Sequence, residues 1–418
     1  MRIELGFGAG IQAVDVPEGR LLGVLTPNSI VHSLIGEAAV WHALQNPIGT
    51  LRLREIIKPG EHIAIITSDI TRPMPTHTVM PALLEELYAA GARKEDITLV
   101  FALGCHRRQT REEQEKLAGK EVFAQIRCLD GDMDDCMHIG LTAHGTPVDI
   151  VRTVAAADRR ICLGNIEYHY FAGYSGGAKA IMPGCSTREA IQHNHSHMTE
   201  DAACAGKIHG NPVREDIEEA AKMVGVDFIL NVVLDENKQI IHAVAGDVIE
   251  AHRAGCAFVD RLYATGIQRR ADIVVVSQGG APKDINLYQT QKALDNAKHA
   301  VRDGGIIILV GACQEGLGER IFEEWMTSAA APGDMIERIR RDFQLGGHKA
   351  AAIAMVLKRA DIYLVSRMEA DFVKSIHLEP FATAQAALDR ATERLGPNAS
   401  VIVMPYGGST LPQLQPCR

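Results

Sequence analysis

The sequence is poor in the residues on which nucleic-acid binding depends. Aromatic residues make up 5% of the 418 residues, and 43 Lys and Arg stand against 52 Asp and Glu, giving a formal net charge of −9. Proteins that track a phosphate backbone normally carry a basic surplus, and those that bind single strands add aromatic side chains on which bases stack. We therefore expect no nucleic-acid partner.

A cysteine framework and a long hydrophobic run are also missing. The nine cysteines include no C-x-x-C pair and follow no regular spacing, which is typical of reduced thiols rather than of a disulfide-rich secreted protein. The segment Met1-Arg-Ile-Glu-Leu-Gly has no apolar h-region, and no later stretch reaches the roughly 18 apolar residues of a membrane span. We expect a cytoplasmic protein with no membrane partner.

Short apolar runs rich in β-branched residues alternate with stretches of helical spacing. The runs predict strands at residues 62–67, 97–103, 160–164, 272–277, 305–310, 361–365 and 400–404. Helical spacing predicts helices at residues 79–92, 215–224, 248–264, 287–301 and 382–395. This alternation predicts an α/β fold of two domains, each with a mostly parallel sheet flanked by helices.

The clearest domain boundary lies at residues 265–270, where a long predicted helix ends at a glycine and a new series of strands and helices begins. We place an N-terminal domain at residues 1–265, carrying the cofactor and catalytic motifs, and a C-terminal domain at residues 266–418, supplying substrate contacts. Ligands of open parallel sheets bind beyond the carboxyl ends of the strands. We expect the active site at such ends, in the cleft between the domains.

Polar residues follow the first two predicted strands of the N-terminal domain. Asp69 and Arg72 lie three positions apart, and the guanidinium suits bidentate capture of a carboxylate or phosphate. The alternative is a local Asp/Arg pair with Thr71 capping a turn. His106 follows the next strand. It is either a general base near pH 7 or a loop histidine that only forms a hydrogen bond with the chain end.

The third strand leads into the segment Ser175-Gly176-Gly177-Ala-Lys179. Glycines let backbone N–H groups approach an anion, so the segment resembles a phosphate cradle, although it is not a Walker A loop. The lysine is also a candidate nucleophile or covalent anchor, provided that its pKa is lowered.

Three alternate histidines, His193, His195 and His197, suggest a transition metal held by imidazole. On a helix, His193 and His197 would share a face at i, i+4. The alternative is a solvated polar helix end, and no matching cysteine or carboxylate set for a closed zinc site accompanies them.

The first strand of the C-terminal domain is followed by a predicted helix that Asp284 or Asn286 can cap. The cap puts Gln289 and Lys292 close to the positive N-terminal end of that helix, where an anion would be attracted. The alternative is a capped helix with a solvent-exposed lysine.

Five motifs together resemble the nickel-dependent lactate racemase family. They are D-x-T-R-P at residues 69–73, G-x-H-R at 104–107, H-x-F-A-G-Y-S-G-G-x-K at 169–179, N-H at 194–195 and G-G-x-P-x-D-x-N-L-Y-Q-x-x-K-A-L at 279–294. The resemblance spans both predicted domains. It implies a racemase or epimerase, an isomerase that inverts the hydroxyl-bearing carbon of a 2-hydroxy acid, whether lactate or a larger relative.

The resemblance also implies a cofactor. The family carries a nickel-pincer nucleotide, a nicotinate-derived mononucleotide with a pyridinium ring that holds nickel through sulfur and carbon and is joined to a lysine by a thioamide. Lys179 matches that lysine, and His195 matches the protein ligand of nickel. Further cofactor contacts are expected from Asp69, Ser175, Gly176 and Gly177. Proteins that synthesise and load the cofactor are implied as partners.

In the implied reaction a histidine removes the hydroxyl proton while hydride moves to the cofactor, and return of hydride to the other face inverts the centre. His106 and His169 match the family's two bases. Substrate contacts are expected from Arg72, Tyr288, Gln289 and Lys292. Two alternatives are a non-catalytic protein that binds a nucleotide or 2-hydroxy acid, and an NAD-dependent dehydrogenase. No G-x-G-x-x-G fingerprint is evident for the latter.

Overall fold

Strands and helices alternate along the chain in a computed structural model that describes residues 1–30 and 33–415. The strands are β1 (Arg2–Phe7), β2 (Gly10–Asp15), β3 (Leu21–Val24), β4 (Ile63–Ser68), β5 (Ile97–Ala102), β6 (Arg127–Asp130), β7 (Cys136–Leu141), β8 (Pro147–Val151), β9 (Arg159–Asn165), β10 (Tyr168–His169), β11 (Gly173–Tyr174), β12 (Phe228–Leu234), β13 (Ile240–Gly246), β14 (Ala264–Ile267), β15 (Ala271–Ser277), β16 (Val301–Val310), β17 (Ala360–Val365), β18 (Glu379–Phe381), β19 (Val401–Met404) and β20 (Leu411–Leu414).

The helices are α1 (Gly36–Gln45), α2 (Leu53–Ile56), α3 (Thr76–Ala89), α4 (Arg111–Ala118), α5 (Lys120–Gln125), α6 (Arg152–Ala155), α7 (Arg188–Ser196), α8 (Pro212–Val224), α9 (Glu250–Tyr263), α10 (Leu287–Ala297), α11 (Arg320–Ser328), α12 (Pro332–Arg341), α13 (Gly347–Leu357), α14 (Ala370–Ser375) and α15 (Ala384–Leu395). All the predicted strands and helices are present. Their ends differ from the predicted ends by at most four residues. The predicted α/β fold is therefore confirmed.

The chain forms two compact units. The N-terminal unit, Ile30–Asp260, contains a six-stranded sheet in the order β13-β12-β9-β4-β5-β6. All neighbouring strands are parallel except the antiparallel pair β12 and β13. Ile63, Ile65 and Leu99 are buried in its core beside apolar residues of α1 and α3. Burial on both faces explains why these strands are nearly continuous apolar runs.

The C-terminal unit consists of Met1–Ser29 together with Arg261–Arg418. Its six-stranded sheet has the order β18-β17-β16-β15-β19-β3, and all its neighbouring strands are parallel. Ile273 and Ile308 lie in its core with Ala387 and Leu388 from α15. The apolar stripe of α15 thus covers one face of the sheet.

The first residues of the chain depart from the boundary that we drew at residues 1–265, because Met1–Ser29 belongs to the C-terminal unit. The physical reason is twofold. Strand β3 pairs in parallel with β19 and so becomes an edge strand of the C-terminal sheet. In addition, Leu5 and Phe7 of the β1–β2 hairpin are buried in the core of that unit. A short apolar strand does not reveal its distant partner in the sequence.

Among residues 1–30 and 33–415, no helix combines the length and the apolar composition needed to cross a membrane.

Candidate active site

Three adjacent parallel strands position the predicted histidine and lysine motifs in the N-terminal unit. Strand β4 lies between β9 and β5, and all three run in the same direction. Their carboxyl ends therefore lie at one edge of the sheet. Asp69 directly follows β4, His106 follows β5, and the segment that contains His169 and Lys179 follows β9. These positions agree with the rule that ligands bind at the carboxyl ends of parallel strands.

Asp69 and His106 form a hydrogen-bonded pair. Nδ1 of His106 lies 2.7 Å from Oδ2 of Asp69, and the Thr71 hydroxyl donates to Oδ1 of the same carboxylate at 2.7 Å. Asp69 is 2% exposed. Burial raises the pKa of Asp69, but the hydrogen bond and charge of His106, with smaller contributions from Thr71 and Arg72, outweigh burial and leave the pKa below its usual value. The carboxylate thus stays ionised and orients the imidazole.

Arg72 is exposed and donates from Nη1 to the Thr71 hydroxyl at 3.1 Å. The local alternative considered for this motif is therefore partly present, since Thr71 joins the arginine and Asp69 in one turn. No direct ion pair between Asp69 and Arg72 occurs among the described residues. The remaining guanidinium donors are directed by a short, fixed turn, which suits recognition of an anion.

Phe171 is the common neighbour of the other predicted catalytic and cofactor residues. Its ring centroid lies 4.5 Å from that of His169, 4.9 Å from that of His195 and 5.7 Å from Nζ of Lys179. The β10–β11 hairpin holds His169, because His169 pairs with Gly173 across it. The structure therefore brings His169, Lys179 and His195 around one buried aromatic ring, which the sequence reasoning had not singled out.

His169 faces Lys179 through a defined ring nitrogen. The backbone N–H of Ala172 donates to Nδ1 at 3.3 Å, so the proton of the neutral ring is on Nε2, 3.4 Å from Nζ of Lys179. Burial is the largest cause that lowers the pKa of His169 well below its usual value, and the positive charges of Lys179, His195, Arg72 and Arg214 lower it further. The ring is therefore neutral near pH 7, and the lone pair of this tautomer is on Nδ1.

Lys179 is surrounded by positive charge. Burial lowers its pKa well below the usual lysine value, and Arg214 and Arg72 lower it further. No carboxylate contributes a compensating interaction among the described residues. Because a neutral amine is the nucleophilic form of lysine, this environment suits a lysine that forms a covalent bond.

The two glycines before Lys179 pack closely against the protein. Gly177 has a φ of +58°, and a Cβ at this position would lie 2.7 Å from the His252 ring. Its N–H donates to Oδ1 of Asn231 at 2.6 Å. The Ser175 hydroxyl donates to the Asn165 carbonyl at 2.7 Å, and the Ser175 carbonyl lies 2.8 Å from Nε2 of His252. Close packing thus explains the glycines, and a phosphate contact from Ser175, Gly176 or Gly177 stays a prediction.

Arg214 and Asn211, at the start of α8, anchor the segment that carries His169. Arg214 is fully buried and donates to the carbonyls of Ala172 and Tyr174. Asn211 caps α8 and donates from Nδ2 to the Phe171 carbonyl at 2.9 Å. Neither role could be read from the sequence, because the partners are about 40 residues away along the chain.

A chain of buried hydrogen bonds orients His195. Nδ1 of His195 donates to Oδ1 of Asn194 at 2.8 Å, and Nδ2 of Asn194 donates to Oδ2 of Asp216 at 2.7 Å. The hydroxyls of Thr142 and Thr146 also donate to the Asp216 carboxylate, at 2.5 and 2.7 Å. With Nδ1 protonated, the lone pair of a neutral His195 ring is on Nε2, the nitrogen that a metal would bind.

The other two histidines of the motif have separate contacts. His193 lies 2.8 Å from the Thr146 hydroxyl through Nδ1, and His197 lies 2.7 Å from Oε1 of Glu200. The rings of His193 and His197 are 5.7 Å apart between centroids. Within residues 1–30 and 33–415, no group of three or more histidine, cysteine or acidic side chains is arranged to hold a metal ion. A metal bound at His195 would therefore need further ligands from beyond the described residues.

The remaining predicted residues lie in the C-terminal unit, at the start of α10. Asn286 caps this helix by accepting from the Gln289 N–H at 3.0 Å. Asp284, the other capping candidate, instead accepts from the N–H groups of Gly8 and Ala312. Tyr288 and Gln289 are half-buried, and Lys292 is exposed one turn further along. The predicted helix and its cap are confirmed, and the roles of these residues in substrate binding stay predictions.

Comparison with known families gives matches in both halves of the chain. The family described as "Lactate racemase N-terminal domain" matches residues 7–206, and that described as "Lactate racemase C-terminal domain" matches residues 267–411. A lactate racemase of Thermoanaerobacterium thermosaccharolyticum is 32% identical over 421 residues, covering 98% of each chain. A lactate racemase of Lactiplantibacillus plantarum is 31% identical over 418 residues, covering 94% of this chain and 98% of the relative.

Solved structures also superpose on this chain. The lactate racemase apoprotein from T. thermosaccharolyticum superposes with a TM-score of 0.87 at 31% identity, covering 99% of this chain and 100% of that one. A protein from Thermotoga maritima superposes with a TM-score of 0.61 at 18% identity, covering 91% of this chain and 98% of that one, and this likeness concerns the fold alone.

Proposed function

The chain belongs to the lactate racemase family and is an isomerase of the racemase type, and from this membership we propose that it inverts the hydroxyl-bearing carbon of a 2-hydroxy acid by using a lysine-bound nickel-pincer nucleotide. The observation that carries the proposal is the grouping of His169, Lys179 and His195 around the Phe171 ring. Each of these three residues has a separate part in the proposed chemistry.

Lys179 fits the attachment point of such a cofactor. Its ammonium has Arg72 and Arg214 as charged neighbours and no carboxylate that offsets them among the described residues. Conversion of the amine to a thioamide would leave a neutral group that cannot be protonated in this environment, which is electrostatically favourable. When bound, the cofactor supplies a nickel centre and a pyridinium carbon that accepts and returns hydride.

Two further observations fit an anionic nucleotide. Nη1 of Arg214 and Nδ2 of Asn231 are buried donors without a hydrogen-bond partner among the described residues. Buried donors left in this state cost free energy, which a ligand oxygen would recover. Asn231 also holds the N–H of Gly177, so one of the two donors lies beside the segment that leads to Lys179.

His195 fits a single protein ligand of nickel. Its orientation is fixed by Asn194, and the Asn194 amide is in turn held by Asp216. Carboxylate or amide groups commonly orient a metal-binding histidine in this way, through the nitrogen that does not bind the metal. The remaining ligands would come from the cofactor, which agrees with the absence of a protein metal cluster in the described part of the chain.

The two bases are proposed to be His106 and His169. Asp69 holds the Nδ1 proton of His106, so Nε2 is the nitrogen that takes a hydroxyl proton, and the buried carboxylate stabilises the imidazolium that results. His169 is neutral because of burial and its cationic neighbours. Loss of the charge on Lys179 would remove the largest of the electrostatic contributions that lower the pKa of His169, and so make it a stronger base.

Substrate contacts are proposed for residues of both units. Arg72 offers guanidinium donors for a carboxylate, and Gln289 and Lys292 lie in the first two turns of α10, where the helix dipole favours an anion. Tyr288 lies beside them. These residues define a carboxylate-binding chemistry that all 2-hydroxy acids share, so the substrate class is proposed and not one member of it.

The decisive experiment is intact-protein mass spectrometry and nickel analysis after co-expression with the proteins that make and load the cofactor. We expect a nucleotide-sized adduct on Lys179, one nickel per chain, and conversion of one enantiomer of a 2-hydroxy acid to the other in a chiral assay. Lys179→Ala should lack the adduct and the activity. As a control, Lys207→Ala alters an exposed lysine of the same unit and should behave as wild type.

Retention of the adduct and full activity by Lys179→Ala would overturn the assignment of the anchor. Turnover that depends on added NAD would favour a dehydrogenase instead. A bare chain, produced under conditions that load a control racemase, would favour the non-catalytic binding protein.

A further inference from the structure

A second lysine is buried in the C-terminal unit, outside the five sequence motifs. Lys349, in the first turn of α13, is 7% exposed. Its ammonium donates to the Tyr288 carbonyl at 2.5 Å and lies 3.9 Å from the centroid of the Tyr288 ring. One cation therefore contacts both the backbone and the aromatic face of a residue that we assign to the substrate site.

These contacts restrict Tyr288 on two sides. A cation over a phenol ring is attracted by its quadrupole, and the attraction grows where water is excluded. The ring also packs against Phe322 in an edge-to-face arrangement, with centroids 5.6 Å apart. The hydrogen bond to the Tyr288 carbonyl ties α13 to the first turn of α10, the turn that also presents Gln289.

Lys349 is not explained by stability. Burial lowers its pKa to about 7, with Lys292 lowering it and Asp295 raising it by smaller amounts. A lysine whose pKa is lowered in the folded state costs stability at every pH below its unfolded pKa, because the unfolded chain binds the proton more tightly. A methionine would fill this position without that cost. The contacts of its ammonium with the carbonyl and ring of Tyr288 point to a functional reason for the charge.

Charged side chains lie on the elements packed against α13. Lys292 and Asp295 lie on α10, and Asp295 also pairs with Lys298 at 2.7 Å. Charged side chains on the other elements form two ion pairs, Arg338 of α12 with Glu324 of α11 and Asp361 of β17 with Arg394. Together with burial, Lys292 and Asp295 let the charge of Lys349 change near neutral pH.

We propose that Lys349 is a positioning residue for the substrate carboxylate, acting by holding Tyr288 in place and by adding a second positive charge beside Lys292. The proposal rests on the proposed function, since Tyr288 and Lys292 are substrate residues only within it. It extends that function by assigning part of the affinity for the anion to a residue of α13. The protonated form of Lys349 is the active one, so the affinity falls as pH rises above 7.

The test compares three variants of the loaded enzyme. Lys349→Met should raise KM about tenfold, the effect of losing one charge-assisted contact, while kcat and nickel content stay close to wild type. Lys349→Arg keeps the charge at all accessible pH values and should restore KM. Lys358→Met removes an exposed lysine from the end of the same helix and serves as the matched control.

The pH profile separates positioning from simple packing. KM of the wild type should rise between pH 7 and pH 9 relative to Lys349→Arg, whose KM should stay flat apart from changes that both enzymes share. Equal KM values for wild type and Lys349→Met, or equal pH profiles for wild type and Lys349→Arg, would overturn the proposal. Melting temperatures of all variants show whether each one folds.

The failure of this proposal is distinguishable from failure of the proposed function. Absence of racemisation by the loaded wild type would contradict the proposed function. Equal KM values for wild type and Lys349→Met would contradict only the role of Lys349. Calorimetric titration of cofactor-free protein with sodium lactate needs no turnover. There, wild type and Lys349→Arg should bind lactate about tenfold more tightly than Lys349→Met, and equal binding, or none by wild type, would overturn the proposal independently.

Discussion

The N-terminal and C-terminal units each contain a lysine whose pKa is lowered chiefly by burial, and the two lysines differ in what surrounds them. Near Lys179 the charged groups that act on it are arginines. Its one hydrogen-bond partner in the described residues is Nε2 of His169, at the long distance of 3.4 Å. Lys349 instead has a carbonyl, an aromatic face and the nearby carboxylate of Asp295.

This difference indicates two distinct uses of a buried amine. An ammonium that the protein does not solvate is driven towards the neutral form, and a neutral amine is suited to forming a covalent bond. An ammonium that a carbonyl and a ring contact is suited to acting as a charge below its pKa. We therefore expect the N-terminal unit to govern the chemical step and the C-terminal unit to govern substrate affinity.

The largest effect should come from the bases of the N-terminal unit. His106→Ala and His169→Ala should each lower kcat about 100-fold or more, because each removes a proton acceptor that acts in the transition state. The assay is racemisation by loaded enzyme in both directions. His209→Ala changes an exposed histidine of the same unit and should leave turnover unchanged.

A change confined to KM in both histidine variants would contradict the assignment of the chemical step to the N-terminal unit. It would mean that these rings hold the substrate in the same way as the residues of α10 and do not transfer its proton.

A smaller effect is expected from the residue that orients His195. Asn194→Ala removes the acceptor of the Nδ1 proton, and loss of such a partner typically weakens metal binding about 10- to 100-fold. The measurement is the nickel retained by loaded protein during dialysis against a chelator, with the melting temperature of cofactor-free protein recorded beside it. Glu189→Ala, at an exposed position on the same helix, is the control.

Nickel retention equal to wild type in Asn194→Ala would show that the cofactor alone fixes the metal. The hydrogen-bond chain through Asp216 would then be structural.

The sequence predicted the fold because its strongest signals are local. The β-branched runs that became β4, β5 and β9 are buried on both faces, so their pattern needed no knowledge of their partners. The rule that ligands bind at carboxyl ends then correctly placed Asp69 and His106 side by side. Pairing of β3 with β19 was not predictable in this way, since the two strands are nearly 380 residues apart.

The candidate site was predictable only in part. Individual roles for Lys179 and His195 came from the resemblance of whole motifs, and spacing alone favoured His193 with His197 over His195 as a metal pair. Residues that act through distant contacts carried no signal: Arg214 reaches carbonyls about 40 residues away, and Lys349 reaches Tyr288 across 61 residues. Such contacts are properties of the packed structure.

The smallest effect concerns stability and compares the two lysines directly. Each has a folded-state pKa below its unfolded value near 10.5, so between the two values the unfolded chain binds more protons and stability rises with pH. For Lys349 this window runs from about 7 to 10.5, and its contribution grows by about 1 kcal/mol per pH unit. Lys349→Met should lose that increase.

Melting temperatures of cofactor-free wild type, Lys179→Met and Lys349→Met at pH 7.0 and 8.5 measure this contribution, and the difference from wild type cancels the titration of cysteines that all three share. Among the described residues the Lys179 amine has only a long hydrogen bond to His169 and the more distant ring of Phe171, so Lys179→Met should melt higher than wild type by about 2–4 °C at pH 7.0. Lys349→Met should gain less at that pH, since it also loses the carbonyl and ring contacts of its ammonium. Equal gains in the two variants would mean that the protein solvates both amines alike, and the division of roles between the units would then lack its electrostatic basis.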